Sequence, residues 1–173
     1  MITKVFVMAG KQAGCVGILT LLAVGCKISG IVAYDSIIED MAIALSLRRF
    51  SSVKQLEIEE LLSKSDLLVS VHGDEIVPNR LLELPRLGGI NAHPCLYAYK
   101  GLHPISRLLH DKNTLASVGV HRMTNKVDEG EVLAEEFIDV TGKQTEDEVY
   151  NVLYPYYSFA LLKALRRLEA QSQ

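Results

Sequence analysis

The sequence predicts an α/β fold: three layers, with a mostly parallel central sheet between helices. Short apolar, β-branched runs alternate with helical stretches through the first half of the chain. That alternation builds right-handed βαβ units covered on both faces. After Ala116 two strand-like runs follow one another closely, so the simple alternation is expected to break there.

The elements are legible in order. Lys4–Met8 (KVFVM) reads as a buried strand. Gly10 and Gly14 bracket a loop, and Cys15–Val24 reads as a helix ending near Gly25. Lys27–Tyr34 is a second strand. Ser36 is the expected cap of a helix over Ile37–Leu47, and Leu56–Ser63 is a short helix. Asp66–Val71 and Gly88–Ala92 are the third and fourth strands, with a helical turn at Pro78–Leu84 between them. His103–His110 is helical, and Ala116–Met123 and Gly130–Val140 are strands. Thr145 starts a long helix, with Glu148 as its capping-box partner. Val149, Val152, Tyr156, Phe159, Leu162 and Leu165 form its expected buried stripe. Pro155 falls inside that pattern and is expected to kink or split it. With no repeat or linker, residues 1–173 are expected to form one domain.

Composition narrows the function classes. The 173 residues carry a formal net charge of −3, and the basic residues are scattered, which argues against a nucleic-acid surface. The longest apolar stretch, Cys15–Val24, is too short to span a bilayer and is interrupted by Gly17. Met1–Ala9 lacks the features of a signal peptide. Cys15, Cys26 and Cys95 are far apart with no C-x-x-C pair, so no metal or disulfide framework is expected and a reducing cytoplasmic compartment is.

The chemistry centres on the fourth strand. Asn91 and His93 follow it at its carboxyl end, where ligands sit in such folds. Two positions apart on extended chain, both side chains face one side. An Asn amide and an imidazole can stabilise an oxyanion and protonate a leaving nitrogen, and a nearby carboxylate can orient the imidazole, raise its pKa and accept a proton directly or through water. Cys95, two residues on, reads as a small buried residue rather than a nucleophile. His72 is expected either to line a pocket or to sit on the surface at a strand end. The Gly10–Gly14 segment reads as a tight strand–helix turn in preference to a phosphate loop assisted by Lys11 and Gln12.

Two segments extend this reading. N-A-H-P-C-L-Y-A-Y-K-G (Asn91–Gly101) resembles the N-x-H-P-S-L-L-P-x-Y-x-G signature of the folate-dependent formyltransferases. V-H-R-M-T-N-K-V-D-E-G (Val120–Gly130) resembles that family's second motif, a strand ending in His followed by a loop and D-x-G. The opening βαβ unit is similar to the sugar-directed branch. The first motif is one residue short, Leu96-Tyr97 replaces L-L-P, and Cys95 stands where Ser is usual.

The resemblance implies a Rossmann-like formyltransferase fold, with Asn91, His93 and Asp128 as catalytic residues. It also implies a folate pocket made largely of main chain at Asp74, Glu75, Ile76 and Val77 and at Thr124, Asn125, Lys126 and Val127, with Ile76 as its apolar wall. The formyl donor implied is 10-formyltetrahydrofolate, with transfer to an amine through a tetrahedral intermediate and no metal. His121 is expected to position the Asp128 loop.

The opening segment favours the amino group of a nucleotide-linked amino sugar as acceptor. A glycinamide ribonucleotide enzyme fits less well, because Gly10-Lys11-Gln12-Ala13-Gly14 lacks that branch's phosphate loop. A tRNA acceptor and a formyltetrahydrofolate hydrolase are disfavoured because the further domains usual to them are not seen. A non-catalytic nucleotide-binding module is disfavoured by the intact Asn91, His93 and Asp128. The expected partners are a small-molecule amine and, as the one assembly allowed for, a second copy of the chain, with neither nucleic acid nor membrane.

Overall fold

In a computed structural model, which describes residues 1–171, seven strands form one sheet in the order β3-β2-β1-β4-β5-β6-β7. They are β1 (Lys4–Ala9), β2 (Lys27–Ala33), β3 (Arg49–Phe50), β4 (Leu67–Val71), β5 (Gly89–Pro94), β6 (Leu115–Arg122) and β7 (Val132–Asp139). β1 to β5 pair in parallel, and β6 runs antiparallel to both of its neighbours. The break in alternation after Ala116 is thus an antiparallel β5–β6–β7 end, and the three-layer α/β expectation holds.

The parallel strands are largely apolar because both faces are covered. On β1, Val5, Val7 and Ala9 enter one core, which also takes in α1 (Lys11–Ala23), α2 (Ser36–Ala44), α5 (Pro104–His110) and α6 (Glu146–Gln171). Phe6 and Met8 enter the opposite core, with α3 (Glu57–Ser63) and α4 (Asn79–Leu82). The period-two alternation of a strand, applied to an all-apolar sequence, feeds both layers at once.

Four details differ from the sequence reading. Helix α1 begins at Lys11, so Gly14 lies inside it, packed against Ala9 and Ile38. The cap of α2 is Asp35, not Ser36: its Oδ1 accepts from the Ile38 N–H at 3.0 Å. The same carboxylate's Oδ2 accepts from the Lys11 N–H at 2.5 Å, so one side chain serves two helix starts. In α6 the buried stripe is Val149, Leu153, Tyr157, Ala160, Leu161, Ala164, Leu165 and Leu168, while Phe159 is 52% exposed. From Val149 the stripe steps by four to Leu153 and again to Tyr157, rather than by three to Val152, and that rotation carries Phe159 to the outer face.

Pro155 does not split α6, which runs unbroken from Glu146 to Gln171. Pro155 is exposed, so the Asn151 carbonyl that loses its partner is on the solvent side. The Thr145–Glu148 capping box forms: the Thr145 N–H donates to Glu148 Oε2 at 3.1 Å and the Glu148 N–H to Thr145 Oγ1 at 3.3 Å.

Candidate active site

Asn91 and His93 lie on β5, alternating with buried Ile90, Ala92 and Pro94, so both side chains emerge on one face. Antiparallel β6 then sets His121 directly opposite Asn91 and Gly119 opposite His93. The loop from β6 to β7 carries Asp128 back over this edge. Its turn depends on Gly130, where a Cβ would come within 1.8 Å of the Arg122 carbonyl oxygen. Only glycine permits that approach. Asp128 itself takes a left-handed backbone, φ 53°, and is 7% exposed.

The carboxylate is fully engaged. Oδ2 lies 3.1 Å from His93 Nε2 and accepts from the Gly101 N–H at 2.7 Å. Oδ1 lies 3.2 Å from His121 Nε2. Burial would raise the Asp128 pKa, but the His121 bond, the His93 charge and the Gly101 N–H outweigh it and hold the carboxyl down at about 2. It is therefore ionised at neutral pH.

His93 differs from the sequence expectation, in which a carboxylate neighbour raises its pKa. Burial is the larger influence and the pKa is lowered, against the opposing pull of Asp128. Its Nε2 faces two acceptors, Asp128 Oδ2 and the Gly101 carbonyl at 3.0 Å. An imidazole nitrogen facing two acceptors carries the proton. The neutral ring therefore leaves its lone pair on Nδ1, which is buried and has no hydrogen-bond partner among the described residues. A buried polar atom without a partner is costly unless function uses it.

His121 touches both sides of the cluster. Its Nδ1 lies 2.8 Å from the Arg122 carbonyl, and its Nε2 lies 3.2 Å from Asp128 Oδ1 and 3.4 Å from Asn91 Nδ2. The structure thus brings Asn91, His93, His121 and Asp128 together at the carboxyl edge of the parallel strands. Sequence reasoning missed Gly101, whose N–H and C=O bridge Asp128 and His93 from a left-handed conformation, φ 79°. Its signal was present as the closing glycine of the first motif.

The eight loop positions divide. Ile76 and Val127 are apolar side chains left 72% and 57% exposed. Ile76 is therefore not a core residue. Val77 is buried in the second core. Glu75 is turned toward β2 and β3, accepting from the Tyr34 hydroxyl at 2.9 Å, the Ser52 hydroxyl at 2.6 Å and the Val53 N–H at 2.8 Å. It pins its loop, so only its backbone remains for a ligand. Asp74, Asn125 and Lys126 are not buried, and the Thr124 hydroxyl closes a turn on Lys126.

His72 follows β4 directly, with φ 56°, and lies beside a small cleft between the starts of α1 and α6. Its Nε2 is 2.7 Å from the Tyr157 hydroxyl, and burial, then Lys11 and His93, lower its pKa to about 4. Cys95 is fully buried and its thiol is pushed up to about 11 by burial, which removes it as a nucleophile at neutral pH. Among the described residues, no group of three or more His, Cys, Asp or Glu could hold a metal ion, and no helix is long and apolar enough to cross a membrane.

A doubly wound sheet with an Asn, two His and an Asp at its carboxyl edge defines a class, and the comparisons agree with it. Residues 37–165 match the formyl transferase family, so the chain belongs to that family. It is 27% identical to the bifunctional polymyxin resistance protein ArnA of Wigglesworthia glossinidia brevipalpis, over 94% of this chain and 27% of that one. Against the methionyl-tRNA formyltransferase of Listeria innocua it is 35% identical, over 56% of this chain and 32% of that one. The chain thus spans about a third or less of the curated relatives it matches.

Among solved structures, the phosphoribosylglycinamide formyltransferase of Bacillus halodurans superposes with a TM-score of 0.80 at 16% identity, covering 99% of this chain and 97% of that one. The formyltetrahydrofolate deformylase of Pseudomonas syringae pv. tomato also gives 0.80, at 18% identity, over 98% of this chain and 62% of that one. Both likenesses speak to the fold.

Proposed function

We propose that this chain transfers a formyl group from 10-formyltetrahydrofolate to a primary amine, with Asn91, His93 and Asp128 as its catalytic residues. The observation that carries this reading is His93 Nδ1, a buried nitrogen unpartnered among the described residues, beside a fully bonded carboxylate. The folate fits the same surroundings. Exposed Ile76 and Val127, with main-chain groups of 74–77 and of 124–127 outside the Thr124–Lys126 turn, would hold a flat, polar-edged ring. When bound, the cofactor supplies an activated formyl group.

The chain's own residues then have distinct tasks. Asn91 Nδ2 donates to an oxygen that gains negative charge. His93, neutral and with its lone pair on Nδ1, would take up the proton released by the attacking amine and return it to the donor's leaving nitrogen as that nitrogen's bond to the formyl carbon breaks. Asp128 and the Gly101 carbonyl keep the other ring proton on Nε2 and stabilise the imidazolium as it forms. With its pKa at about 2, Asp128 is too weak a base to hold that proton itself. His121 fixes the Asp128 carboxylate through its Nε2 from the opposite strand.

For the acceptor, the amino group of a nucleotide-linked amino sugar is supported by the opening βαβ unit and by the near end-to-end match to ArnA. The methionyl-tRNA formyltransferase match covers little more than half of the chain. The test is release of tetrahydrofolate from a formyl-folate donor, with amino-sugar nucleotides, glycinamide ribonucleotide or no acceptor. Release that depends on the amino sugar supports the reading. Release at the same rate without acceptor makes the chain a hydrolase.

A further inference from the structure

The loop between β5 and α5 carries Gly101 to the Asn91, His93 and Asp128 cluster without strand or helix structure of its own. Gly101 and His103 both take left-handed backbone there, at φ 79° and 54°. A side-chain-bearing residue is disfavoured in that region, so local preference alone does not give the loop this shape. Arg107, in the last turn of α5, holds it. The side chain leans back toward the helix start, as helical side chains do. Its Nη2 donates to the Tyr99 carbonyl at 2.9 Å and to the Lys100 carbonyl at 2.5 Å. Among the described residues, no other donor reaches either carbonyl. The guanidinium carbon also lies 5.8 Å from the centre of the buried Tyr99 ring, a cation–π contact.

The bond to Lys100 bears directly on the site. The Lys100 carbonyl and the Gly101 N–H belong to one peptide plane, in which C=O and N–H point in opposite directions. Arg107 grips the oxygen side of that plane, and Asp128 Oδ2 accepts from its nitrogen side at 2.7 Å. The next carbonyl, that of Gly101, faces His93 Nε2 at 3.0 Å. A peptide that precedes glycine turns over easily, because glycine accepts the altered φ. Turned over, this one would aim its oxygen at the Asp128 carboxylate.

We propose that Arg107 is a positioning residue of this site: by holding the Lys100–Gly101 peptide, it keeps the Gly101 N–H on Asp128 and the Gly101 carbonyl on His93. Its catalytic meaning rests on the formyl-transfer reading, whereas the positioning is read from His93 itself. The competing role, a surface cation at the negative end of α5, makes the opposite prediction. The Gly101 carbonyl favours the protonated ring, so losing it lowers the His93 pKa. Removing a cation alone relieves like-charge repulsion and raises it. The titratable groups that face His93 are Asp128 from the β6–β7 loop, His121 from β6 and His72 after β4, and they are the same in every variant below.

The experiment is a ¹⁵N titration of His93 in the native chain and in Arg107→Met and Arg107→Lys, with formyl transfer measured alongside. Methionine keeps an apolar stem over the Tyr99 ring and donates to neither carbonyl. Lysine keeps the charge and a donor head. Arg107→Met is expected to lower the His93 midpoint and the midpoint of the pH–activity profile together. Its kcat should fall about tenfold, within the cost of a slightly misplaced reacting group. The KM for the folate donor should change by less than about twofold. Arg107→Lys should shift both midpoints in the same direction and by less. Circular dichroism and melting point control for folding, and if Arg107→Met does not fold, Arg107→Lys carries the same sign test. A His93 midpoint that rises or stays put in every folded variant overturns the proposal, as does a larger downward shift in Arg107→Lys than in Arg107→Met. A lowered midpoint, in a chain whose native form transfers no formyl group, leaves the positioning standing and removes the transfer reading. Formyl transfer with an unmoved midpoint does the reverse.

Discussion

Asp128 is 7% exposed and every face of its carboxylate is taken, whereas Val127, one residue earlier, is 57% exposed and Ile76 in the other candidate folate loop is 72% exposed. The first region is held by strand register, a glycine approach and charge. The second is held by few contacts beyond Glu75 and the Thr124 turn. The contrast separates two kinds of work. Groups that handle protons need fixed positions and a low-dielectric setting before the substrate arrives. Surfaces that grip a flat ring need only backbone groups and apolar area left uncovered.

That contrast can be broken at its strongest point. His93→Ala should lower turnover by about 10²–10⁴-fold, the range for a positioned proton-transfer group. Asn91→Ala should cost about a hundredfold or more. Folate affinity, read by calorimetry, should change little in either variant, because the proposed roles of both groups are on charge that develops in the transition state. Parallel losses of affinity and turnover would erase the division between the two regions.

Asp128→Asn comes next. Asn tolerates the left-handed backbone at this position, so the fold should persist. Turnover should fall comparably, and His93 should titrate lower still, since Asp128 is what pulls its pKa upward. In the native protein, activity should rise with pH and level off with an apparent pKa below the ordinary His value of 6.5, as the ring loses its proton. The stability side has the opposite partner. Asp128 titrates at about 2 when folded against an ordinary 3.8, so its contribution is complete above 3.8 and is lost as pH falls through about 2. Acid denaturation curves of the native protein and the Asp128→Asn variant should therefore converge across that window.

How much of the molecule is readable from sequence follows from the physics of each residue. Asn91 and His93 are legible because strand alternation and the carboxyl-edge rule are local and periodic. The long helix is legible by its capping box. Its buried stripe is not, because apolar and aromatic residues crowd the span from Val149 to Leu162 and satisfy more than one helical register. The start of α1 is invisible, since its cap position is Gly10 and the carboxylate that takes its first N–H is Asp35, 24 residues downstream. The same holds for Glu75, whose partners Tyr34, Ser52 and Val53 lie on another segment. The lowered pKa of His93 depends on burial, which sequence does not give. Long-range partners and desolvation, not local pattern, account for what sequence misses.

Smaller effects sharpen the contrast from the exposed side. Ile76→Ala should weaken folate binding about three- to tenfold, the value of roughly one to two methylenes covered on binding, with kcat unchanged. Cys95→Ser should keep near-normal turnover, because a fully buried thiol with its pKa at about 11 takes no part in the chemistry. A dead Cys95→Ser protein that folds normally would contradict that assignment.

The most direct measurement of the central claim is the imidazole ¹⁵N spectrum of His93 in the native protein at about neutral pH. Asp128 and the Gly101 carbonyl both face Nε2, so the ring should be neutral, with its proton on Nε2 and Nδ1 bare as the base. A proton found on Nδ1, or a ring still charged at that pH, would contradict the account.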